Sequence, residues 1–256
     1  TIDVLPQGLS DASPTVRAAA VAALESVPAE IRVRLAFPML DDPVRAVRIE
    51  AARVLASILA GELPKAQQAS LETALAEVIE AQQAMAERPE AQANLGNLYA
   101  ALGDADKAIA AYTTAIELNA VYLPGYVNMA DLYRAQGQEK AAEKVLRRAV
   151  QASPGNAGLH HALGLSLVRQ QRTQEGIEEL RVATTLAPDD ARYIYVYAVA
   201  LNSTGKPEEA IMVLQGAHNA HPNDRDILSA LVAFNRDAGN DKQAASYAEK
   251  LQALLP

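Results

Sequence analysis

Residues 123–156 read LPGYVNMADLYRAQGQEKAAEKVLRRAVQASPGN, and this pattern returns every 34 residues through the last two thirds of the chain. Glycine recurs at Gly103, Gly137, Gly205 and Gly239, and Gln171 occupies the one position of this series that lacks glycine. Alanine recurs five residues later, at Ala108, Ala142, Ala210 and Ala244, with Gly176 at the remaining position. Proline ends the unit at Pro154, Pro188, Pro222 and Pro256. Self-similarity at this period predicts a solenoid, because a single unit cannot bury its own apolar face and must stack on its neighbours.

Each unit carries two apolar stripes at helical spacing, separated by the glycine, and therefore predicts two helices joined by a tight turn. Pro207 lies two residues after Gly205 and is expected at the start of a helix, where a missing N–H costs little. The run Arg192-Tyr193-Ile194-Tyr195-Val196-Tyr197 alternates with period two and locally resembles a strand. The repeat predicts a helix there instead, with Tyr197 at a core position and Tyr195 facing inward.

The units resemble the tetratricopeptide repeat (TPR) family. The first unit shows this with Leu95-Gly96, Tyr99, Ala108, Tyr112 and Ala115. Five units are expected in the ranges 89–122, 123–156, 157–190, 191–224 and 225–256. The resemblance implies an all-α fold, an α-solenoid in the form of a right-handed superhelix. Ahead of it, Ala74, Val78 and Ala81 match half a unit, so a helix over about 67–86 is expected inside a connecting segment, 63–88.

The first 62 residues repeat with a different period. Asp11, Val16, Arg17, Ala20 and Leu24 return 31 residues later as Asp42, Val47, Arg48, Ala51 and Leu55. This segment resembles the HEAT repeat, and the resemblance implies a ladder of charged hydrogen bonds between the aspartates and arginines of adjacent units. The alternative is two amphipathic hairpins with basic faces. With either interpretation, about 14 helices and no sheet are expected.

Composition excludes several classes of function. The chain has no cysteine, so thiol chemistry, disulfides and Cys-x-x-Cys-His haem attachment are absent. No apolar run reaches the 18 residues of a membrane span, and a net charge of −8 argues against a nucleic-acid partner. No catalytic motif is present, so we expect no enzyme activity, cofactor or metal. His218 and His221, with Asp224 nearby, are the one alternative metal site, and a solvated helix end is the favoured interpretation.

In the TPR family the first helix of each unit lines a concave groove that receives a peptide, and this resemblance gives the candidate site. The implied groove residues are Asn94, Asn97, Asn128, Asp131, Arg134, His161, Leu165, Arg169, Arg192, Tyr195, Asn202 and Arg236. Asparagine amides can donate to and accept from a peptide backbone. Arginines can bind carboxylates, or could instead pair with Asp131, Asp226 and Asp237 and stiffen the stack.

A wider resemblance, carried by Asp42-Pro43-Val44-Arg45-Ala46-Val47-Arg48 and His221-Pro222-Asn223-Asp224-Arg225-Asp226, is to the C-terminal region of bacterial multihaem c-type cytochromes. It implies an exported parent and a periplasmic location, with the cytoplasm as the alternative. Because Thr1 is not methionine, the chain is expected to be part of a longer protein. Two functions follow: a noncatalytic scaffold that binds a protein or peptide in its groove, or an appendage that packs on its own parent or self-associates.

Overall fold

The computed structural model describes residues 5–56 and 65–254, and all the regular structure in these ranges is helical. The α-helices are α1 Leu5–Leu9, α2 Pro14–Ala23, α3 Ala29–Ala36, α4 Arg45–Leu55, α5 Lys65–Gln83, α6 Pro89–Ala101, α7 Ala105–Leu118, α8 Leu123–Ala135, α9 Glu139–Ala152, α10 Ala157–Arg169, α11 Thr173–Leu186, α12 Ala191–Ser203, α13 Pro207–Ala220, α14 Arg225–Asp237 and α15 Asp241–Gln252. Two short 3-10 helices lie at Leu24–Ser26 and Phe37–Asp41. The all-α repeat fold predicted from the sequence is confirmed.

The described residues form two compact units, one ending at Leu132 and the other beginning at Tyr133. The division falls inside α8. The change of period was predicted near residues 62 and 63, which lie outside the described residues, as does Pro256, the proline expected to close the last repeat. The domain boundaries drawn from the sequence therefore stay predictions.

The first unit contains an ion-pair ladder of the kind that the resemblance to HEAT repeats implies. Arg17 donates to Asp42 through Nε at 2.7 Å and Nη2 at 3.0 Å, so the arginine of one repeat binds the aspartate of the next. The same geometry recurs at Arg48, whose Nε and Nη2 donate to Glu77 at 3.0 and 2.6 Å. Glu77 thus takes the place of an aspartate as the next rung. The pairing is observed, while the HEAT resemblance itself stays a prediction.

Burial makes this ladder matter for stability. Asp42 is 6% exposed and also accepts the Val44 backbone N–H at 2.8 Å. The hydrogen bonds from Arg17 hold the pKa of Asp42 below its usual value, and Arg48 does the same for Glu77. A buried ion that loses its partner is strongly destabilising, so the pair of Arg17 and Asp42 stabilises the contact between the two 31-residue repeats. The pair of Arg48 and Glu77 is more exposed, at 24% and 23%.

Helix α5 belongs to both repeat patterns. It was predicted over about 67–86, and the structure places it at Lys65–Gln83. Leu71, Ala74, Leu75 and Val78 are buried in one hydrophobic cluster with α1 to α4, and that cluster also includes Leu98 of α6. The apolar core of the first repeats therefore continues into the first 34-residue unit.

The 34-residue units each supply two helices joined by a turn with one residue in the left-handed region. Gly103, Gly137, Gly205 and Gly239 have φ between 71° and 78°, and Gln171 adopts φ 62° in the slot where glycine is missing. Glycine populates this region without steric cost, which explains why it recurs there. Pro154, Pro188 and Pro222 each lie two residues after a helix ends, as predicted.

Small residues let the two helices of a unit approach closely. In the pair α10 and α11, a Cβ on Gly164 would lie 2.9 Å from the Gly176 carbonyl oxygen, and a Cβ on Gly176 would lie 2.8 Å from that of Gly164. Large leucines fill the surrounding space: Leu163, Leu167 and Leu180 are at most 1% exposed. The small residues at these two positions thus bring the backbones of α10 and α11 into direct contact.

In the second unit, one local prediction has a clear outcome and a buried histidine links several segments. The strand-like run from Arg192 to Tyr197 lies within α12, so the 34-residue period decides the structure over the local alternation. His160, at a packing position of the repeat, is buried and links three segments. Its Nδ1 lies 2.6 Å from Glu179 Oε2 on α11, and its Nε2 lies 3.0 Å from the Pro154 carbonyl oxygen.

Candidate peptide-binding surfaces

The twelve predicted groove residues divide between the two compact units. Asn94 and Asn97 on α6, with Asn128 and Asp131 on α8, lie in the first unit. The others lie in the second: Arg134 on α8, His161, Leu165 and Arg169 on α10, Arg192, Tyr195 and Asn202 on α12, and Arg236 on α14. Each group is considered by itself.

The first unit contains a cavity of about 670 Å³ that includes two of the predicted asparagines. Its lining residues are Glu25, Ile49, Glu50, Arg53, Ala56, Val78, Gln82, Asn94, Asn97, Leu98 and Ala101. Val78 and Leu98 are each 5% exposed, so the cavity has an apolar floor. Sites of this size with an apolar lining and a few placed polar groups are typical ligand pockets.

Most of the residues that line this cavity are not among the predicted groove residues. Ile49 and Arg53 come from α4, and Val78 and Gln82 come from α5, so most of the lining lies outside the five full 34-residue units. A family resemblance confined to the 34-residue units could not include them. The available signal was the half unit in α5, which includes Val78 of the lining.

A chain of amides fixes the polar side of the cavity. The Tyr112 hydroxyl and Asn128 Nδ2 both donate to Asn97 Oδ1, each at 2.8 Å, and Asn94 Nδ2 donates to Gln82 Oε1 at 3.2 Å. Burial, together with the nearby Asp131 carboxylate, raises the pKa of Tyr112 to about 12, so its hydroxyl keeps its proton at neutral pH. With both acceptor positions of Asn97 used, its Nδ2 remains as a donor, and Asn128 Oδ1 remains as an acceptor.

The rim of the cavity is acidic. Arg53 donates to Glu25 at 2.6 Å and to Glu50 at 2.6 and 3.2 Å, and these bonds raise the pKa of Arg53. One guanidinium thus sits between two carboxylates, which leaves one negative charge on this side. The cavity therefore favours a ligand with N–H groups or a cation near an apolar side chain.

In the second unit, aromatic stacking organises the predicted residues on α10 and α12. The centres of the His161 and Tyr193 rings lie 4.6 Å apart. The Arg192 guanidinium also contacts this tyrosine, at 5.3 Å from the centre of its ring. His161 is only 6% exposed, and burial followed by the charge of Arg192 lowers its pKa. Its Nδ1 is buried without a hydrogen-bond partner among the described residues. Tyr193, which the sequence argument did not select, is the central member of this stack.

The predicted arginines are not four equivalent free cations. Arg169 donates to Glu139 through Nε at 2.7 Å and Nη2 at 3.3 Å, a carboxylate that was not among the three aspartates considered as partners. This pairing lowers the pKa of Glu139. Arg192 is held against Tyr193, whereas Arg236 is exposed and makes no hydrogen bond or ion pair with the described part of the chain. Tyr195, Leu165 and Asn202 are half-buried.

Neither a metal centre nor a membrane span is found in the residues searched. Over the described ranges, no three His, Cys, Asp or Glu side chains are grouped so as to hold a metal ion. Over the same ranges, no helix is both long and apolar enough to cross a membrane.

The fold and its repeated helix pairs define a helical-repeat protein, and comparison with known families identifies the repeat. Family models described as "Tetratricopeptide repeat" match residues 89–120 and residues 125–230. The chain therefore carries tetratricopeptide repeats, as its sequence predicted. No curated protein matches the chain in sequence.

Solved structures of TPR proteins share the fold at low sequence identity. MamA is 20% identical with a TM-score of 0.55, over 62% of this chain and 94% of that chain. YrrB, described as a TPR protein with an unusual peptide-binding site, is 21% identical with a TM-score of 0.55, over 70% of this chain and 92% of its own. PilF of Pseudomonas aeruginosa is 19% identical with a TM-score of 0.54, over 66% and 77%. The resemblance to multihaem cytochromes stays a prediction.

Proposed function

We propose that this protein is a noncatalytic scaffold that binds an extended segment of another protein, and that the cavity between α4, α5 and α6 receives it. The observation that carries the proposal is the amide pair at its edge. Asn97 Nδ2 is left to donate and Asn128 Oδ1 is left to accept, because Asn128 Nδ2 and the Tyr112 hydroxyl occupy Asn97 Oδ1. A peptide group presents one acceptor and one donor, so the pair complements a peptide backbone.

The cavity floor supports an anchor for one ligand side chain. Val78 and Leu98 are buried and Ile49 is half-buried, so an aliphatic or aromatic side chain would find apolar surface there. Large side chains in such pockets usually dominate binding energy. The acidic rim at Glu25 and Glu50 favours a basic residue beside that anchor. The proposed ligand is therefore an extended segment with a large apolar residue next to Lys or Arg. YrrB, which shares the fold, is described as having a peptide-binding site, and this adds support.

The Asn97→Asp substitution tests the proposal with little change in structure. Aspartate keeps an acceptor for Tyr112 and Asn128 but replaces the Nδ2 donor with an oxygen. Peptides selected from a random display library against the full chain serve as probes, and their affinities are measured by fluorescence anisotropy. We expect a loss of about 2 kcal/mol, since a peptide carbonyl would face an acceptor.

A matched variant controls for the added charge. Asn119→Asp lies in the turn between α7 and α8, outside the cavity, and its carboxylate can still accept the Val121 backbone N–H at 3.1 Å. It should leave peptide affinity unchanged. Failure to select any peptide, or equal affinities for both variants and the parent chain, would reject the cavity as the binding site.

A further inference from the structure

A basic stripe runs along α9 of the second unit, in a chain whose net charge is −8. It borders a cavity of about 560 Å³. The lining residues are Lys140, Glu143, Lys144, Arg147, Arg148, Gln151, Gln170 and Arg172. The α9 members recur at the three- and four-residue spacing that places side chains on one helix face. This face belongs to the second helix of its repeat, whereas the predicted groove residues lie on first helices.

The base of the cavity is a rigid ion-pair platform around a buried carboxylate. Glu143 is 8% exposed and accepts hydrogen bonds from Arg147 at 2.8 Å, from Arg172 at 2.7 Å and from Gln170 at 3.0 Å. Burial alone would favour its neutral form, but these bonds outweigh that effect and hold the pKa of Glu143 below its usual value. Arg172 also binds Glu175 at 2.6 Å. The two guanidinium groups are therefore held in place before any ligand arrives.

The positive charges exceed the negative ones on this platform. Five of the lining side chains are cations and one, Glu143, is a carboxylate. Arg147 and Arg172 pair with Glu143 and with the neighbouring Glu175. The side chains of Lys140 and Lys144 are both exposed and make no ion pair or hydrogen bond with the described residues. Solvated faces of soluble proteins usually mix the two signs. A face of an acidic protein on which cations outnumber carboxylates therefore favours an anionic partner.

We propose that this cavity is a second docking site, which takes a short acidic segment of a partner protein. From Lys140 to Gln151 the stripe is about 16 Å long at the helical rise per residue, which matches about five residues of extended chain. Lysine and arginine side chains would bind the carboxylates, and the amides of Gln151 and Gln170 border the same space and could reach the backbone. A longer polyanion would meet the repulsion of an acidic protein outside this patch.

Charge reversal of the two exposed lysines tests the site. The probe is a fluorescein-labelled peptide with five consecutive glutamates, titrated with the full chain and followed by anisotropy at low and at physiological salt. For the variant Lys140→Glu with Lys144→Glu we expect the dissociation constant to rise by about tenfold, since two exposed attractions become repulsions. Higher salt should weaken binding to the parent chain, because exposed charges are screened.

A control with the same change in net charge separates a local site from general electrostatics. Lys206→Glu with Lys242→Glu alters the same unit away from the cavity and should change the dissociation constant by less than about twofold. Far-UV circular dichroism and thermal melts establish that both variants are folded; if either is not, the Lys→Gln pairs replace them. The Asn97→Asp variant should bind the acidic probe normally, so failure of one proposal does not imply failure of the other.

Two results would overturn the inference. Equal weakening in both charge-reversal variants, or no weakening in either, would mean that α9 is only a solvated face. Tighter binding of a uridine oligonucleotide of the same charge, lost in the Lys140→Glu and Lys144→Glu variant, would assign the cavity to nucleic acid in place of an acidic protein segment.

Discussion

Two glycine-to-alanine substitutions in the second compact unit are expected to change the free energy of unfolding in opposite directions. One lies in the close contact between α10 and α11, and the other lies outside it. A Cβ on Gly176 would lie 2.7 Å from Val168 Cγ2 and 2.8 Å from the Gly164 carbonyl oxygen, whereas ordinary contact begins near 3.4 Å. Gly176→Ala must therefore push the two helix backbones apart by about 0.6 Å, which is overpacking of a tight core. Gly216, within α13, has no atom within 4 Å of the added carbon.

The expected magnitudes follow from two competing effects. Alanine gains about 1 kcal/mol over glycine inside a helix. Overpacking costs about 1–3 kcal/mol, and the upper end applies to Gly176 because backbone atoms cannot rotate away. Gly176→Ala should lose about 2 kcal/mol of unfolding free energy, and Gly216→Ala should gain about 1 kcal/mol. Gly164→Ala, whose Cβ would meet Leu180 Cγ at 2.8 Å, should behave like Gly176→Ala.

Urea denaturation followed by far-UV circular dichroism measures both variants against the parent chain, and unchanged m-values license the comparison of free energies. If Gly176→Ala proves as stable as the parent while Gly216→Ala gains stability, helix propensity decides both sites. The close approach of α10 and α11 would then carry no energetic weight, contrary to the packing argument.

Three further predictions concern stability. Burial lowers the pKa values of His161 and His218, and the charges of Arg192 and Lys250 add to the effect, so the unfolded chain binds more protons at low pH. The free energy of unfolding should be highest above the unfolded pKa of 6.5 and fall as the pH drops below it, by up to about 1.4 kcal/mol per pH unit for each histidine. His→Gln variants should flatten this pH dependence. Asp42→Asn should cost about 3 kcal/mol in urea denaturation, because it leaves Arg17, whose side chain is 13% exposed, without its carboxylate. Gln171→Gly should raise the melting temperature through a gain of about 1 kcal/mol at its left-handed φ.

The features that could be predicted from the sequence are those that the repeat period determines. The spacing of glycines, alanines and prolines predicted the helix pairs, and it identified the slot of Gln171, which does adopt the conformation of the glycines it replaces. It also overruled the strand-like alternation near Tyr195. One rung of the ion-pair ladder, Arg17 to Asp42, is a pairing that the resemblance to HEAT repeats implied.

What the sequence did not reveal depends on distances between side chains of different helices. Glu77 as a ladder rung, the bond between Arg169 and Glu139, and the link from His160 to Glu179 are long-range pairings without a local motif. The first-unit cavity was missed for a related reason, since Ile49 and Val78 enter it from helices outside the 34-residue units. Such contacts depend on how neighbouring helices pack, and this packing cannot be read directly from a single sequence.

Helix α5 has a consequence for how such a protein can be divided or assembled. Its Glu77 completes the arginine ladder of one repeat type, and its Leu75 and Val78 share a core with Leu98 of the other type. Where one type of helical repeat ends and another begins, each would expose the apolar face that its next repeat normally covers. Here the single helix α5 covers the exposed face of both types. A fragment that begins after α5 would lose the helix that packs against Leu98. A fragment that ends before α5 would leave Arg48 without Glu77. We therefore expect the 31-residue repeats and the first 34-residue unit to melt together as one cooperative block.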